Sequence, residues 1–166
     1  GVELDGGLGL GDLWYFVWRS PSHCQNMSDT LKFLAFETST DMMSVAVSRG
    51  THTWHHHGVG GPNASAQLIP VIQDLLRQAD LSLNDLSAIV IGHGPGSFTG
   101  LRTACSVAQG LAMGANLKVI QIDTLMAVAE QARSMLDAGA TQKCNAYPVG
   151  VLVDARMSEV YAGAYQ

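Results

Sequence analysis

The stretch Gly92–Arg102, GHGPGSFTGLR, places four glycines and a proline directly before a segment with helical periodicity. Such a loop either binds a phosphate through backbone N–H groups or only turns the chain. It is not a P-loop, because no lysine follows Gly100, and it lacks the GxGxxG spacing of dinucleotide-binding loops. Pro95–Gly96 instead predicts a type II turn, with Ser97 as the N-cap of the next helix. We therefore predict a structural turn, while the N–H groups at the helix start leave anion binding open.

The segments around this loop alternate between apolar strands and amphipathic helices. The first strand, LKFLAFE, is nearly all apolar, as a buried central strand requires. Strands are predicted at 31–37, 42–50, 51–58, 86–92, 117–122, 149–155 and 159–166, and helices at 63–79, 97–113 and 124–136. Three strands followed by helix–strand repeats predict a layered α/β fold with a mixed sheet that begins with three antiparallel strands.

The composition restricts the classes of function. The chain has 166 residues, 47% of them hydrophobic, which is enough for one domain and part of a second. The net charge is −5, and the nine Lys and Arg residues are scattered, which argues against direct binding of tRNA or DNA. Cys24, Cys105 and Cys144 match neither a disulfide framework nor a CxxC metal site. This pattern predicts a reduced, cytoplasmic compartment. No cofactor is expected.

The first 26 residues differ from the rest of the chain. They are rich in glycine and contain one apolar run, residues 13–18, which is too short to span a membrane and lacks a preceding basic region. Met27 then precedes the first strand. We interpret residues 1–26 as a leader or upstream extension outside the fold. The alternative is an arm that docks onto the body through its aromatic side chains.

Three motifs carry a resemblance to a known family. They are LAFETST at 34–40, GHGPGSFTGLRTACSVAQGLAMG at 92–114 and VDARMSEVYAGAYQ at 153–166. The order of elements, with acid-Thr-Ser after the first strand and Asp after a late strand, resembles the superfamily of actin, sugar kinases and heat-shock ATPases. The motifs together are similar to the TsaB (YeaZ) family of bacteria. The resemblance implies an actin-like, ribonuclease H-like first lobe over residues 27–154 and the start of a second, truncated lobe at 155–166.

The resemblance also implies a function. Members of this family serve as the partner subunit of the catalytic TsaD protein, which makes threonylcarbamoyladenosine beside the tRNA anticodon with help from the small ATPase TsaE. We therefore expect a non-catalytic subunit that meets tRNA only indirectly, has no membrane association and forms a homodimer when alone. The alternative is a self-sufficient enzyme, either an actin-like phosphotransferase or a metallopeptidase of the glycoprotease type.

The two acidic positions favour the non-catalytic interpretation. Nucleotide-binding relatives carry Asp at the end of the first strand, where this chain has Glu37. No glycine follows Asp154 until Gly163, so we expect the backbone after Asp154 not to adopt the positive φ angles of a phosphate-binding hairpin. A turn contact or ion pair among Asp154, Arg156 and Glu159 is the preferred interpretation. The predicted degenerate nucleotide cleft comprises Glu37, Thr38, Ser39, Gly94, Gly96, Ser97 and Asp154, and no catalytic residue is assigned.

Four histidines suggest a metal site at first sight. They are His52, His55, His56 and His57. His52 and His56 form an HxxxH pattern that binds zinc on a helix. Thr51, Thr53 and Trp54 favour a strand, however, in which residues four apart are separated by roughly 13 Å. We predict an exposed edge strand that binds nickel or zinc only adventitiously, and no metal site. His93 is interpreted as a loop side chain rather than a catalytic base.

The helix after the glycine loop carries a stripe of small residues at every fourth position: Gly100, Ala104 and Ala108. Small residues allow another helix to approach closely, and Leu68, Ile72 and Leu75 of the preceding helix offer bulky side chains. One interpretation is ordinary packing within the subunit. The resemblance implies that these helices form the subunit interface. All six residues are therefore predicted to lie at the interface with the partner.

Overall fold

The computed structural model describes residues 31–61, 64–139 and 148–165. Its strands are β1 (Lys32–Glu37), β2 (Met42–Arg49), β3 (His52–Val59), β4 (Ala88–Gly92), β5 (Lys118–Ile122), β6 (Val149–Arg156) and β7 (Glu159–Tyr165). Its α-helices are α1 (Ala64–Gln78), α2 (Phe98–Ala115) and α3 (Thr124–Gly139), and a short 3-10 helix spans Leu83–Asp85. Each predicted element is present, with ends that differ from the prediction by at most three residues. The predicted leader at 1–26 lies outside the described residues.

β1 to β5 form one mixed sheet in the order β3-β2-β1-β4-β5. β1 pairs antiparallel with β2, which pairs antiparallel with β3, whereas β4 runs parallel to β1 and β5 parallel to β4. β4 is buried at all five positions, as expected for a parallel strand covered on both faces. The structure thus confirms the predicted mixed α/β class.

Helices cover both faces of this sheet. Leu34 and Phe36 of β1 point toward α1 and α2 and join the largest core cluster, to which Leu68 and Ala104 also belong. The alternate residues of β1 point to the other face, where Ala127 of α3 packs. This alternation follows from the two-residue period of a strand. β1 therefore lies at the centre of the molecule, and its end is where a site can be surrounded by several elements.

β6 and β7 form a separate antiparallel hairpin that packs on α3. Val151 is buried against Leu125 and Ala129 of α3, and Tyr161 and Tyr165 pack on the same cluster. The predicted boundary between residues 154 and 155 falls inside β6, whereas residues on both sides of it belong to one hairpin. The division into two lobes stays a prediction. In the described part of the chain, no helix is both long and apolar enough to cross a membrane.

Candidate functional site

The end of β1 carries a buried carboxylate that is surrounded by hydrogen-bond donors. Glu37 is only 2% exposed. Its Oε1 accepts the backbone N–H of Thr38 at 2.8 Å and of Ser39 at 2.7 Å. Its Oε2 accepts the hydroxyl of Thr124, the first residue of α3, at 2.9 Å. The chain itself therefore supplies the partners that a buried carboxylate needs.

Glycines allow this close packing around the end of β1. A Cβ at Gly92 would lie 1.7 Å from Oε2 of Glu37, and a Cβ at Gly100 would lie 1.9 Å from the carbonyl oxygen of Thr38. The hydroxyl of Thr38 donates to the carbonyl of Gly100 at 2.8 Å. The glycine loop therefore brings α2 directly onto the backbone after β1. At Gly92 and Gly100 there is no space for a side chain.

The glycine loop does turn the chain, but not as predicted. The positive φ angle belongs to Gly94, at 100°, rather than to Gly96, so the prediction of a type II turn at Pro95–Gly96 is wrong. Ser97 occupies the N-cap of α2 as predicted, although its side chain makes no capping hydrogen bond. Its backbone N–H instead donates to the carbonyl of Ser39 at 2.6 Å. One of the N–H groups that could have bound an anion is therefore used internally.

Ser39 carries a polar group with no partner in the described part of the chain. Its Oγ is buried and makes no hydrogen bond there. The loop lies close above it, since a Cβ at Gly96 would be 2.6 Å from this oxygen. The hydroxyl is therefore covered by the loop rather than open to an incoming phosphate.

The second predicted acid lies on the hairpin. Asp154 is an exposed residue of β6, paired with Val160 of β7. The turn between the strands has positive φ angles at Met157 (54°) and Ser158 (62°). The prediction that the backbone here needs glycine for such angles is wrong, because two non-glycine residues adopt the conformation of a tight hairpin turn. The predicted contact with Arg156 involves a side chain outside the described part of the structure.

Sequence reasoning missed a second polar cluster, at the start of α3. Asp123 follows β5, and its Oδ1 accepts the backbone N–H of Met126 and the hydroxyl of Tyr165, each at 2.9 Å. The first bond caps α3, and the second ties the hairpin to the end of the sheet. An Asp directly before a helical segment was the signal for the cap. No local pattern could have indicated Tyr165, which lies 42 residues further along the chain.

The environment of Asp123 alters two pKa values. Partial burial raises the pKa of the Asp123 carboxyl, but hydrogen bonds from the Met126 N–H, the Tyr165 hydroxyl and the Leu125 N–H outweigh burial, and the pKa lies below its ordinary value. The charge of nearby His93 acts in the same direction. The pKa of Tyr165 is raised by burial, by its hydrogen bond to Asp123 and by the negative charge there. The pair is therefore most stable with Asp123 ionised and Tyr165 neutral.

The six residues predicted to form the partner interface lie in the core instead. Leu68 and Ala104 are fully buried, and Ile72, Leu75, Gly100 and Ala108 are also buried within the single chain. The prediction of these six as contact residues is therefore wrong, because their stripes face each other and the sheet. The outward sides of the same helices carry exposed Ile69 of α1 and exposed Phe98 and Met113 of α2. Arg102 stacks over the ring of Phe98 at 3.8 Å.

The histidines lie on an edge strand, as predicted. His52 and His56 fall within the strand β3 and are therefore separated along the chain. Among residues 31–61, 64–139 and 148–165, no three His, Cys, Asp or Glu side chains are grouped so that they could bind a metal ion. His93 is exposed, and its backbone N–H donates to the carbonyl of Ile122 at 3.0 Å.

A five-stranded mixed sheet with this arrangement of helices fits the actin-like and glycoprotease-type class of α/β proteins. The family described as "TsaD: tRNA N6-adenosine threonylcarbamoyltransferase" matches residues 58–166. "tRNA threonylcarbamoyladenosine biosynthesis protein TsaB" of Escherichia coli (strain K12) is 38% identical over 82% of this chain and 55% of its own length. The protein of the same name from Haemophilus influenzae is 38% identical over 79% of this chain and 52% of its own length.

The solved structure "YeaZ from Pseudomonas aeruginosa" superimposes with a TM-score of 0.70 at 37% identity, covering 82% of this chain and 60% of that chain. The chain thus spans little more than half the length of the relatives it matches. These similarities show that the chain belongs to the TsaB (YeaZ) family, within the wider group that the TsaD description covers.

Proposed function

We propose that this chain belongs to a non-catalytic subunit that works with a TsaD-type catalytic protein in making threonylcarbamoyladenosine beside the tRNA anticodon. The relatives named for threonylcarbamoyladenosine biosynthesis support the pathway. In this proposal a TsaE-type ATPase acts through the complex, and this chain meets tRNA only indirectly, through the partner. The sparse and scattered positive charge of the chain fits that division.

The hydrogen bonding of Glu37 is the observation that carries the non-catalytic part of the proposal. A carboxylate that served a bound nucleotide or its metal ion would need an oxygen directed into an open cleft. Both oxygens of Glu37 accept donors from this chain, and the residue is 2% exposed. The covered hydroxyl of Ser39 adds to this, because a phosphate would have to displace the loop to reach it. We infer that the actin-like lobe is kept as a rigid scaffold.

Nucleotide binding tests this part of the proposal. Isothermal titration of the purified chain with Mg-ATP is expected to show no binding at micromolar concentrations, and no hydrolysis of ATP or peptides. The appropriate control is the same titration of a TsaD-type catalytic subunit. Turnover by this chain that disappears in Glu37→Ala or Asp154→Ala would show that it is an enzyme.

The partner surface is proposed to lie on the outward sides of α1 and α2. Ile69, Phe98 and Met113 are apolar side chains on these two helices that are 43%, 67% and 85% exposed, and exposed apolar patches mark interaction sites on soluble proteins. Gly100, Ala104 and Ala108 on the inward side of α2 contribute indirectly, because their small side chains allow α1 and α2 to pack closely. We propose that the same surface forms a homodimer when the partner is absent.

Binding to a TsaD-type protein tests this surface. Met113→Glu is expected to weaken co-purification at least tenfold, because it buries a charge in the contact. Met157→Glu is the matched control, since Met157 is 95% exposed on the hairpin turn and lies on neither helix. Equal effects of the two changes, or no effect of Met113→Glu and Ile69→Glu, would contradict the proposed location.

A further inference from the structure

The edge strand β3 sorts its histidines onto two faces. Trp54 packs against the core cluster formed by α1, α2 and the sheet, so His52 and His56 share that side. His55 and His57 point to the opposite side, where both are exposed. Neighbours on one face of a strand are two residues apart, a separation of about 7 Å. The pair His55 and His57 is therefore much closer than the HxxxH pair His52 and His56.

The adjacent strand holds one of these imidazoles. Ser44 of β2 lies directly opposite His57 and is only 2% exposed. Its Oγ is 3.2 Å from Nδ1 of His57. In the tautomer in which the Nδ1–H of His57 donates this bond, Nε2 keeps its lone pair for a metal ion, and the bond restricts the orientation of the ring. This is the arrangement in which a ligating histidine is held by a neighbouring polar group.

We propose that His55 and His57 form a chelating site for a borderline transition-metal ion such as Cu²⁺, Ni²⁺ or Zn²⁺. Imidazole nitrogens bind these ions at about 2.0–2.1 Å, and two rings on the same face of a strand can converge on one ion. Water completes the coordination. Ser44 acts as a positioning residue for His57. The site uses residues separate from the Glu37 cluster and does not depend on the proposed function.

The ligand chemistry predicts which ions bind. Two neutral imidazoles without a carboxylate do not suit Mg²⁺ or Ca²⁺, which prefer oxygen ligands. Among divalent first-row ions the affinity is expected to be highest for Cu²⁺.

Titration of the full chain with CuCl₂, followed by electron paramagnetic resonance, tests the site. The wild-type protein is expected to bind one more Cu²⁺ ion than either His55→Ala or His57→Ala, with a spectrum of nitrogen coordination. His52→Ala and His56→Ala are the matched controls, because they remove histidines from the same strand but the other face. Ser44→Ala is expected to lower the affinity about tenfold while the nitrogen coordination remains.

Three results would overturn the proposal. One is equal loss of the ion in all four histidine variants, which would indicate nonspecific binding along the strand. The second is an unchanged number of bound ions in His55→Ala and His57→Ala. The third is no binding to the wild-type protein at pH 7.5. Circular dichroism of each variant confirms that it is folded, which is expected because both side chains are exposed.

Discussion

The buried carboxylate of Glu37 connects several elements at the end of β1. Its carboxylate accepts two backbone N–H groups and one hydroxyl in a buried setting, where such bonds are stronger than in water. The same interactions hold together the end of β1, the start of α3 and, through Thr38, the first turn of α2. We infer that losing the charge at this position weakens the packing of three elements at once.

Glu37→Gln is expected to lower the free energy of unfolding by about 2 kcal/mol. The amide replaces one acceptor oxygen with an N–H₂ group that faces existing donors, and hydrogen bonds to charged groups contribute about 1.5–3 kcal/mol. Urea denaturation at pH 7 measures the change. Glu130→Gln is the control, because Glu130 forms only a partly exposed pair with Arg133 on α3. A loss no larger than that of the control would contradict this account of Glu37.

Two glycines of α2 provide a matched test of close packing. Alanine is normally favoured over glycine in a helix by about 1 kcal/mol, and Gly110 has open space around it. Gly110→Ala should therefore raise the stability by about 0.5–1 kcal/mol. Gly100→Ala should instead lower it by about 1–3 kcal/mol, because the new Cβ would overlap the carbonyl of Thr38. Thermal melting of both variants measures the changes. A Gly100→Ala variant as stable as Gly110→Ala would contradict this account and show that the backbone near Thr38 relaxes.

At the scale of elements, the hydrogen bond between Asp123 and Tyr165 connects the hairpin to the large sheet. Val151 of the hairpin packs on Leu125 and Ala129 of α3, and this apolar contact buries the hairpin against the helix. The hydrogen bond adds one directional contact between the hairpin and the end of β5. The folded pKa of Asp123 is lowered, so its contribution to stability is full above the ordinary pKa of about 3.9 and is lost as the pH falls through the folded value. The folded pKa of Tyr165 is raised, so its contribution is full below about 10 and is lost as the pH rises through the folded value.

Tyr165→Phe is expected to lower the stability at pH 7 by about 0.5–1 kcal/mol, since it removes one partly exposed hydrogen bond. The difference from wild type should shrink below about pH 4 and above about pH 10. The pKa of Asp123, followed by nuclear magnetic resonance, should rise toward its ordinary value. Tyr161→Phe serves as the control on the same apolar cluster. An Asp123 pKa unchanged by Tyr165→Phe would mean that the backbone cap alone sets it.

At the scale of the whole molecule, the two sides of α2 have different surroundings. Its inward side packs Ala104 and Ala108 into the core, whereas its outward side exposes Phe98 and Met113. Stability and association are therefore expected to respond to different substitutions. This separation arises because residues three or four apart share one face of a helix, whereas the residues between them point in other directions.

Ala104→Trp should lower the stability by at least about 1–3 kcal/mol, because the core has no space for the larger side chain. Met113→Glu should leave the melting temperature within a few degrees of wild type but convert the expected homodimer to a monomer in light scattering. Thermal melting and light scattering are therefore measured on both variants, so that effects on stability and on association can be separated. A folded Ala104→Trp variant that has merely lost dimerisation would restore the original prediction that this residue lies at an interface.

The amino-acid sequence by itself determined the order and type of the elements, because the periods of two and 3.6 residues are written into the apolar pattern. It also determined the family, through motifs such as LAFETST and GHGPGSFTGLR. Only the tertiary structure decided which face of α1 and α2 is buried, because both helices have apolar or small residues around more than one side. It also decided that the carboxylate of Glu37 is buried and hydrogen-bonded, since its partner Thr124 lies 87 residues away. The contact between Ser44 and His57 was likewise decided by the tertiary structure. Those contacts depend on strand register and helix packing, which bring distant residues within hydrogen-bonding distance and leave no local pattern in the chain.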